Sequence, residues 1–366
     1  MTDSRRPGED DRFDERYHSQ VESHISRRKW LQSKQCVTVT GGSKKLKERR
    51  TAMFRKLKYL CFLGFLVMSL TAGDVFASSS SKGPELTSRG YSIFDETMAD
   101  MTYVQIEKAA KEKAIIIFPI GVIEEHGPHL PLAVDTYGAY LQAKLIKGEL
   151  EKKGIQSLVA PPFYWGINNA TGSFAGSFTV REETMVNVLW DTMTSLKRWG
   201  FEKVFFTNHH GDADHNRALL KAIEKARVDT GIRAYYVLEE TVGKRLGLMG
   251  KEPHILMYRT APSPPSKFIE VHAGGGETSF MWYYFPDLVD LEIWRTLKST
   301  DLTLDDLMIW RRGWEDARKV TPRGYFGDPT TASPERGKKS KEDYGSAVSE
   351  VIEKFLSGQY KPPETK

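Results

Sequence analysis

Cysteine is nearly absent from this chain of 366 residues, since only Cys36 and Cys61 occur. Both precede Ser78, so the long remainder of the sequence contains none. This excludes a disulfide framework in that remainder, and it equally excludes a metal site built from thiolates. Any metal ion bound there must be held by histidine and carboxylate side chains.

The sequence also lacks a long hydrophobic run. Its most apolar stretch, residues 59–72 (YLCFLGFLVMSLTA), is short for a membrane-spanning helix and is preceded by basic residues. Val75-Phe76-Ala77 then offers small residues at the two positions that a signal peptidase reads. We therefore expect a signal peptide over residues 53–77 and a periplasmic or secreted protein. The alternative is a membrane anchor formed by residues 59–72, preceded by a cytoplasmic tail.

The segments on either side of this signal have no pattern typical of a folded domain. Residues 1–52 are polar and charged without clear periodicity, which indicates disorder, or an upstream extension if translation starts at Met53. Residues 78–90 are rich in Ser, Gly, Pro and Lys and predict a linker. We expect one folded domain over residues 91–358.

A charge excess of one sign is missing from that domain. The chain has a net charge of +5, but residues 1–77 contribute 16 Lys and Arg against 9 Asp and Glu. The rest is left with about −2, which gives no indication of nucleic-acid binding. We expect a small-molecule substrate as the partner of this domain.

After Tyr91, short apolar runs alternate with segments of helical periodicity. This alternation predicts an α/β domain with a mainly parallel sheet and helices on both faces, whose site lies at the carboxyl ends of the strands. We expect strands at residues 114–119, 157–160, 203–207 and 233–238, and helices at residues 102–113, 136–152, 182–199 and 216–230.

The C-terminal third has weaker patterns. Residues 243–267 contain four prolines and predict a flap in which Ile255, Leu256 and Met257 are exposed, or else a disordered segment. A single helix is expected over residues 302–319. The Gly- and Pro-rich residues 324–337 predict a loop on the surface or at a subunit contact, followed by a closing helix near residues 344–355.

Three short clusters combine histidine with acidic residues. The first contains Glu124, His126 and Asp135 and follows an apolar strand; the second, His209 to Asp214, follows another. The third places His272 and Glu277 around three glycines, where a helix is expected to begin. Taken singly, each could be an acidic surface loop or a helix N-terminal charge. Together they indicate a site for Zn²⁺ or Mn²⁺, in which one carboxylate could bridge two ions.

These residues resemble the creatininase family of metal-dependent amidohydrolases. The motif Glu-x-His-Gly-Pro-His-Leu-Pro-Leu with a following Asp stands at residues 124–135, and the Asn-Gly-His region corresponds to Asn208-His209-His210. The His-Ala-Gly element with Glu-Thr corresponds to residues 272–278, and the Gly-Asp-Pro loop to residues 327–329. The resemblance covers residues 91–337 and implies a single domain of this family.

The resemblance implies two divalent ions, Zn²⁺ and/or Mn²⁺, bridged by Asp135. Glu124, Asp135 and His210 would hold one ion, and His126, Asp135 and Asp212 the other. His272 would act on the substrate or the leaving group. Glu277 would be a further ligand or a carboxylate that supports one. The family also implies a homo-oligomer, a hexamer by resemblance.

The expected substrate pocket departs from the family pattern. Asn168, Asn169 and Thr171 lie in a segment where relatives have Ser, Glu and His, so creatinine itself is disfavoured. Phe268 stands where creatininase places an aromatic residue near its substrate-facing histidine. These four residues are our predicted substrate contacts.

The sequence thus predicts an exported hydrolase in which a water activated by two metal ions attacks a carbonyl of a small, creatinine-like cyclic amide. One alternative is a hydrolase of an inosose-type cyclic keto-polyol. A second is a relative that binds metal or ligand without catalysis.

Overall fold

The structure is a computed structural model that describes residues 90–248, 250–260 and 266–362. The expected N-terminal extension and signal peptide, and all of the expected linker except Gly90, lie outside these residues. Among the described helices, none combines the length and the apolar character needed to cross a membrane.

The described residues contain one parallel sheet with the strand order β2-β1-β3-β4-β5. In this order the chain leaves β1 to one side and returns to its other side, so β1 and β3 lie at the point where the strand order reverses. Ligand sites form outside the carboxyl ends of the strands at such a point. The strands are β1 (Ile115–Ile120), β2 (Ser157–Val159), β3 (Lys203–Asn208), β4 (Arg233–Glu239) and β5 (Ile255–Tyr258).

Helices cover both faces of this sheet, so the predicted α/β architecture is confirmed. The helices are α1 (Tyr103–Lys111), α2 (Val134–Lys152), α3 (Glu182–Arg198), α4 (Ala213–Thr230), α5 (Glu240–Arg245), α6 (Gly275–Tyr284), α7 (Leu291–Trp294), α8 (Leu304–Trp310), α9 (Trp314–Val320) and α10 (Pro334–Leu356). On one face of the sheet, α1, α3 and α4 pack against Ile116 and Phe118 of β1. On the other face, α2 and α10 pack against Ile115 and Ile117.

The prediction of a flap over residues 243–267 is wrong for the part of this segment that the structure describes. Ile255, Leu256 and Met257 form the strand β5 beside β4 and are 2%, 2% and 4% exposed. The strand is only four residues long and is buried on both faces, so it has no alternation of apolar and polar residues. The hydroxyl of Tyr360 accepts a hydrogen bond from the Met257 backbone at 2.8 Å and holds the strand from outside the sheet.

The single helix expected over residues 302–319 is two helices, α8 and α9, separated at Gly313. Gly313 has φ +81°, and a Cβ atom there would lie 2.6 Å from the Asn169 carbonyl oxygen. The next residue, Trp314, donates a backbone hydrogen bond to that oxygen at 2.7 Å. The break therefore attaches this helical hairpin to the loop that contains Asn169.

The loop expected on the surface or at a subunit contact over residues 324–337 is mostly buried in its first half. Phe326 exchanges backbone hydrogen bonds with His272, and its side chain is fully buried. The closing helix α10 begins at Pro334, about ten residues earlier than expected, because Ser333 caps it by accepting a hydrogen bond from the Arg336 backbone.

Candidate metal centre

The three polar clusters meet at the carboxyl ends of β1 and β3. Ile120, the last residue of β1, pairs with Asn208 at the end of β3, and its carbonyl accepts from the His209 backbone at 3.0 Å. This register places the chain that follows β1 beside the chain that follows β3. The N-terminal turn of α6 contributes Glu277 from a third direction.

Among the residues that the structure describes, three groups of side chains place potential ligand atoms within 4.8 Å of one another. Asp135, in the first turn of α2, belongs to two of these groups, and its carboxylate oxygens divide between them. Its Oδ2 lies 2.9 Å from His210 Nδ1, while its Oδ1 lies 3.7 Å from His126 Nε2. The groups are Glu124 with Asp135 and His210, His126 with Asp135 and Glu277, and Glu124 with His126 and His272.

His126 is oriented as metal-binding histidines are. Its Nδ1 lies 3.1 Å from the Glu124 carbonyl oxygen, which fixes the N–H on that side. The opposite nitrogen, Nε2, is buried without a hydrogen-bond partner and points between Asp135 Oδ1 and Glu277 Oε2 at 3.7 and 3.9 Å. A buried lone pair facing two carboxylates is costly without a cation between them, so these residues fit a divalent ion.

His210 has the same arrangement on the other side of Asp135. Its Nε2 lies 3.0 Å from the Ile167 carbonyl oxygen, and its Nδ1 lies 3.0 Å from Glu124 Oε1. Burial alone would lower the pKa of His210, but the carboxylates of Glu124 and Asp135 outweigh it and hold the pKa well above its ordinary value. A proton on His210 Nδ1 supplies the positive charge between these two carboxylates that a metal ion would otherwise supply.

Metal binding is therefore expected to release a proton from His210. At neutral pH the raised pKa keeps the metal-free imidazole protonated, and the ion must displace that proton to reach the lone pair. The apparent affinity should rise with pH, on the order of tenfold per unit for each proton released. Calorimetric titration with Zn²⁺ in buffers of different ionisation enthalpy measures this release. An enthalpy that is the same in all buffers would contradict it.

Asp212, the remaining ligand that the resemblance implies, belongs to none of the three groups within the described residues. Its carboxylate caps α4 by accepting from the backbones of Asp214 and His215, and it also accepts from the Asn169 backbone at 3.1 Å. Glu277, on α6, stands in the group with His126 and Asp135 instead.

The four predicted substrate contacts do not all lie at the cavity over the metal centre. The Asn168 side chain is fully buried and donates to the carbonyls of Ile123 and Phe178, while the Thr171 hydroxyl donates to Glu124 Oε2. Neither lines the cavity over the metal centre.

Asn169 does line this cavity, and its amide donates to Asp214 at 2.9 Å. Phe268 is half-buried with Lys267 over its ring, and it lies outside the cavity lining. Of the four predicted contacts, the structure therefore brings only Asn169 to the cavity.

The cavity over the metal centre has a volume of about 410 Å³. Its walls include Trp310 and Arg311 at the end of α8 and Arg245 at the end of α5, none of which is among the residues predicted from the sequence. Arg245 also donates to the Gly211 carbonyl at 2.8 Å. A second cavity of about 740 Å³ shares His209, His210 and Gly211 with the first.

The doubly covered parallel sheet and the carboxylate-imidazole cluster at its strand ends define an α/β protein with a buried centre suited to divalent metal. The chain belongs to the creatininase family of hydrolases, because the family's sequence model, described as creatinine amidohydrolase, matches residues 99–352.

The names of similar proteins specify different substrates. A mycofactocin precursor peptide peptidase of Mycobacterium ulcerans is 28% identical over 61% of this chain and 78% of its own length. A 3-dehydro-scyllo-inosose hydrolase of Thermotoga maritima is 24% identical over 72% and 86%, and a creatinine amidohydrolase of Pseudomonas putida is 24% identical over 70% and 95%.

Solved creatininase structures share the fold. One with Mn covers 71% of this chain and 98% of its own, at 20% identity and a TM-score of 0.54. A mutant creatininase of the Zn-Zn type covers 72% and 98%, at 21% identity and a TM-score of 0.54.

Proposed function

We propose that this protein is a metal-dependent hydrolase that binds two divalent ions, Zn²⁺ and/or Mn²⁺, and cleaves a C–N amide bond in a small substrate. The observation that carries the proposal is the division of the Asp135 oxygens between two groups of potential ligands, all of them buried except the partly buried Glu277. Solved creatininases with Mn and of the Zn-Zn type support the choice of metals.

Two ions bound there would supply an activated water and a Lewis acid for the substrate carbonyl. Glu124, Asp135 and His210 would hold the first ion, and His126, Asp135 and Glu277 the second. Thr171 fixes the orientation of Glu124 by donating to its other oxygen. The protein would thus hold both ions on side chains that are buried or, for Glu277, partly buried, and whose own hydrogen bonds set their direction.

His272 is the proposed proton donor to the departing nitrogen. It lines the cavity, and its Nε2 lies 2.7 Å from the Glu125 carbonyl oxygen. Burial lowers the pKa of His272, but its interaction with the Glu125 carboxylate, 3.5 Å away, and the charges of Glu124, Glu125 and Glu277 together raise it to about 10. A protonated imidazole at the cavity wall suits general acid catalysis.

The size of the cavity favours a small amide, such as a creatinine-like cyclic amide or the end of a short peptide. Two of the relatives named above, a peptide peptidase and a creatinine amidohydrolase, have names that specify amide cleavage. A mutant creatininase has also been solved in complex with creatine. A cyclic keto-polyol is the second candidate, because the inosose hydrolase relative matches the largest share of this chain among the three.

The test is turnover by purified protein before and after chelation. We expect activity on creatinine-like lactams, short peptides or an inosose to vanish with chelator and to return when Zn²⁺ or Mn²⁺ is restored. Activity that survives complete removal of metal would contradict the proposal. Bound metal without turnover of any panel member would instead favour a binding protein.

We also propose that the enzyme acts outside the cytoplasm. The support is the apolar run at residues 59–72 with basic residues before it and Val75-Phe76-Ala77 after it. Cell fractionation with N-terminal sequencing tests this. A product that begins near Ser78 in the exported fraction is expected, and an uncleaved cytoplasmic chain would contradict it.

A further inference from the structure

The ring of His209 lies beside the metal centre without belonging to any of the three ligand groups. Its Nδ1 is 3.0 Å from Asp135 Oδ1, and its Nε2 is 2.6 Å from Lys341 Nζ on α10. The second contact joins His209 to a residue that lies 132 positions further along the chain.

The hydrogen-bond chemistry fixes the state of this ring. An ionised carboxylate only accepts hydrogen bonds, so Nδ1 carries the proton that it donates to Asp135, and Nε2 of the ring accepts from Lys341 Nζ. Both ring nitrogens are thus occupied, and neither is free to bind a metal ion.

Packing fixes the position of the ring as well. Gly138 in α2 leaves the space for it, because a Cβ atom there would lie 2.6 Å from His209 Cδ2. Phe280 meets the ring edge-on at 5.2 Å, and the Lys341 ammonium lies 4.1 Å above the ring of Phe280. Lys341 is only 7% exposed, so its contact with His209 is shielded from water.

We propose that His209 and Lys341 are positioning residues for Asp135, the carboxylate that would bridge the two ions. The proposal rests on the two-ion site described above. The N–H of His209 holds Oδ1 on the side of His126, which leaves Oδ2 facing His210. Lys341 fixes the tautomer that makes this N–H available. Groups that orient metal ligands in this way contribute about 10- to 100-fold to metal affinity.

Competition between the protein and a chromophoric chelator for Zn²⁺ tests the proposal. His209→Ala should weaken metal binding about 10- to 100-fold. His209→Asn should recover most of the affinity, because its amide can donate from the position of Nδ1. His254→Ala is the matched control, since His254 is also buried but bonds to Glu224 far from the centre, and it should bind as the wild type does.

Lys341→Met separates positioning from a general loss of stability. It should weaken binding less than His209→Ala does, and the double variant should bind no more weakly than His209→Ala, because Lys341 acts through His209. Unchanged affinity in both single variants, or additive losses in the double variant, would overturn the inference. If His209→Ala does not fold, unchanged affinity in Lys341→Met overturns it alone. A wild type that binds no metal would instead overturn the proposed function.

Discussion

The Asp135→Asn variant is expected to lose both metal ions and to have a kcat/KM about 10³-fold or more below that of the wild type. Asp135 is shared by the group that contains Glu124 and His210 and the group that contains His126 and Glu277, so an amide in its place weakens both at once. Each ion contributes several kcal/mol of transition-state stabilisation, and about 1.4 kcal/mol corresponds to a factor of ten in rate. Elemental analysis together with steady-state kinetics measures both effects.

Asp191→Asn makes the same chemical change on the exposed surface of α3 and should leave metal content and rate unchanged. The amide introduced by Asp135→Asn is nearly isosteric with the carboxylate, so a correctly folded protein is expected. Retention of both ions at wild-type affinity in Asp135→Asn would rule out the bridging role.

His210→Ala and Glu277→Gln are expected to remove one ion each and to lower kcat by roughly 10²- to 10³-fold. His210 belongs to only one of the two groups around Asp135, and Glu277 only to the other. Each variant should therefore retain about one ion per chain. Metal content measured on extensively dialysed protein, next to kcat, gives the result.

Asp212→Ala distinguishes this assignment from the one that the family resemblance implies. Because Asp212 caps α4, its loss should lower the free energy of unfolding by about 1 kcal/mol and leave two ions bound. If Asp212→Ala lost an ion while Glu277→Gln kept both, the assignment would be reversed. Unfolding in urea and metal analysis of the same samples separate the two outcomes.

The first four strands and the convergence of the clusters could be predicted from the sequence. Two apolar segments, Ile115–Ile120 and Lys203–Asn208, are each followed closely along the chain by Glu, His or Asp residues. Because parallel strands end at the same edge of a sheet, residues about 85 positions apart had to meet there. Local pattern and one topological rule were enough for this part.

The choice between Asp212 and Glu277 could not be predicted in this way. Asp212 begins α4, where free backbone N–H groups compete for a short carboxylate, and it accepts from Asp214 and His215. Glu277 is longer and reaches the centre from a helix whose placement depends on packing against α10 and the loop around Phe326. These contacts join parts of the chain that lie far apart in sequence, so local sequence patterns do not predict them.

Long-range packing also explains why β5 and the role of Lys341 could not be predicted from the sequence. The strand β5 lies among prolines and is recognisable only from its pairing with β4 and its contact with Tyr360. Lys341 lies in a Lys-rich helical segment like an ordinary surface residue, and only the folded α10 brings it to His209.

The proposed function depends on a pair of metal ions that Asp135 would bridge. Anomalous diffraction from crystals of the metal-saturated protein, collected at the absorption edge of Zn or Mn, tests it most directly. We expect two peaks about 3.5 to 4 Å apart, one contacting Asp135 Oδ1 with His126 and Glu277, the other contacting Oδ2 with Glu124 and His210. A single peak, or two peaks without Asp135 between them, would contradict the account.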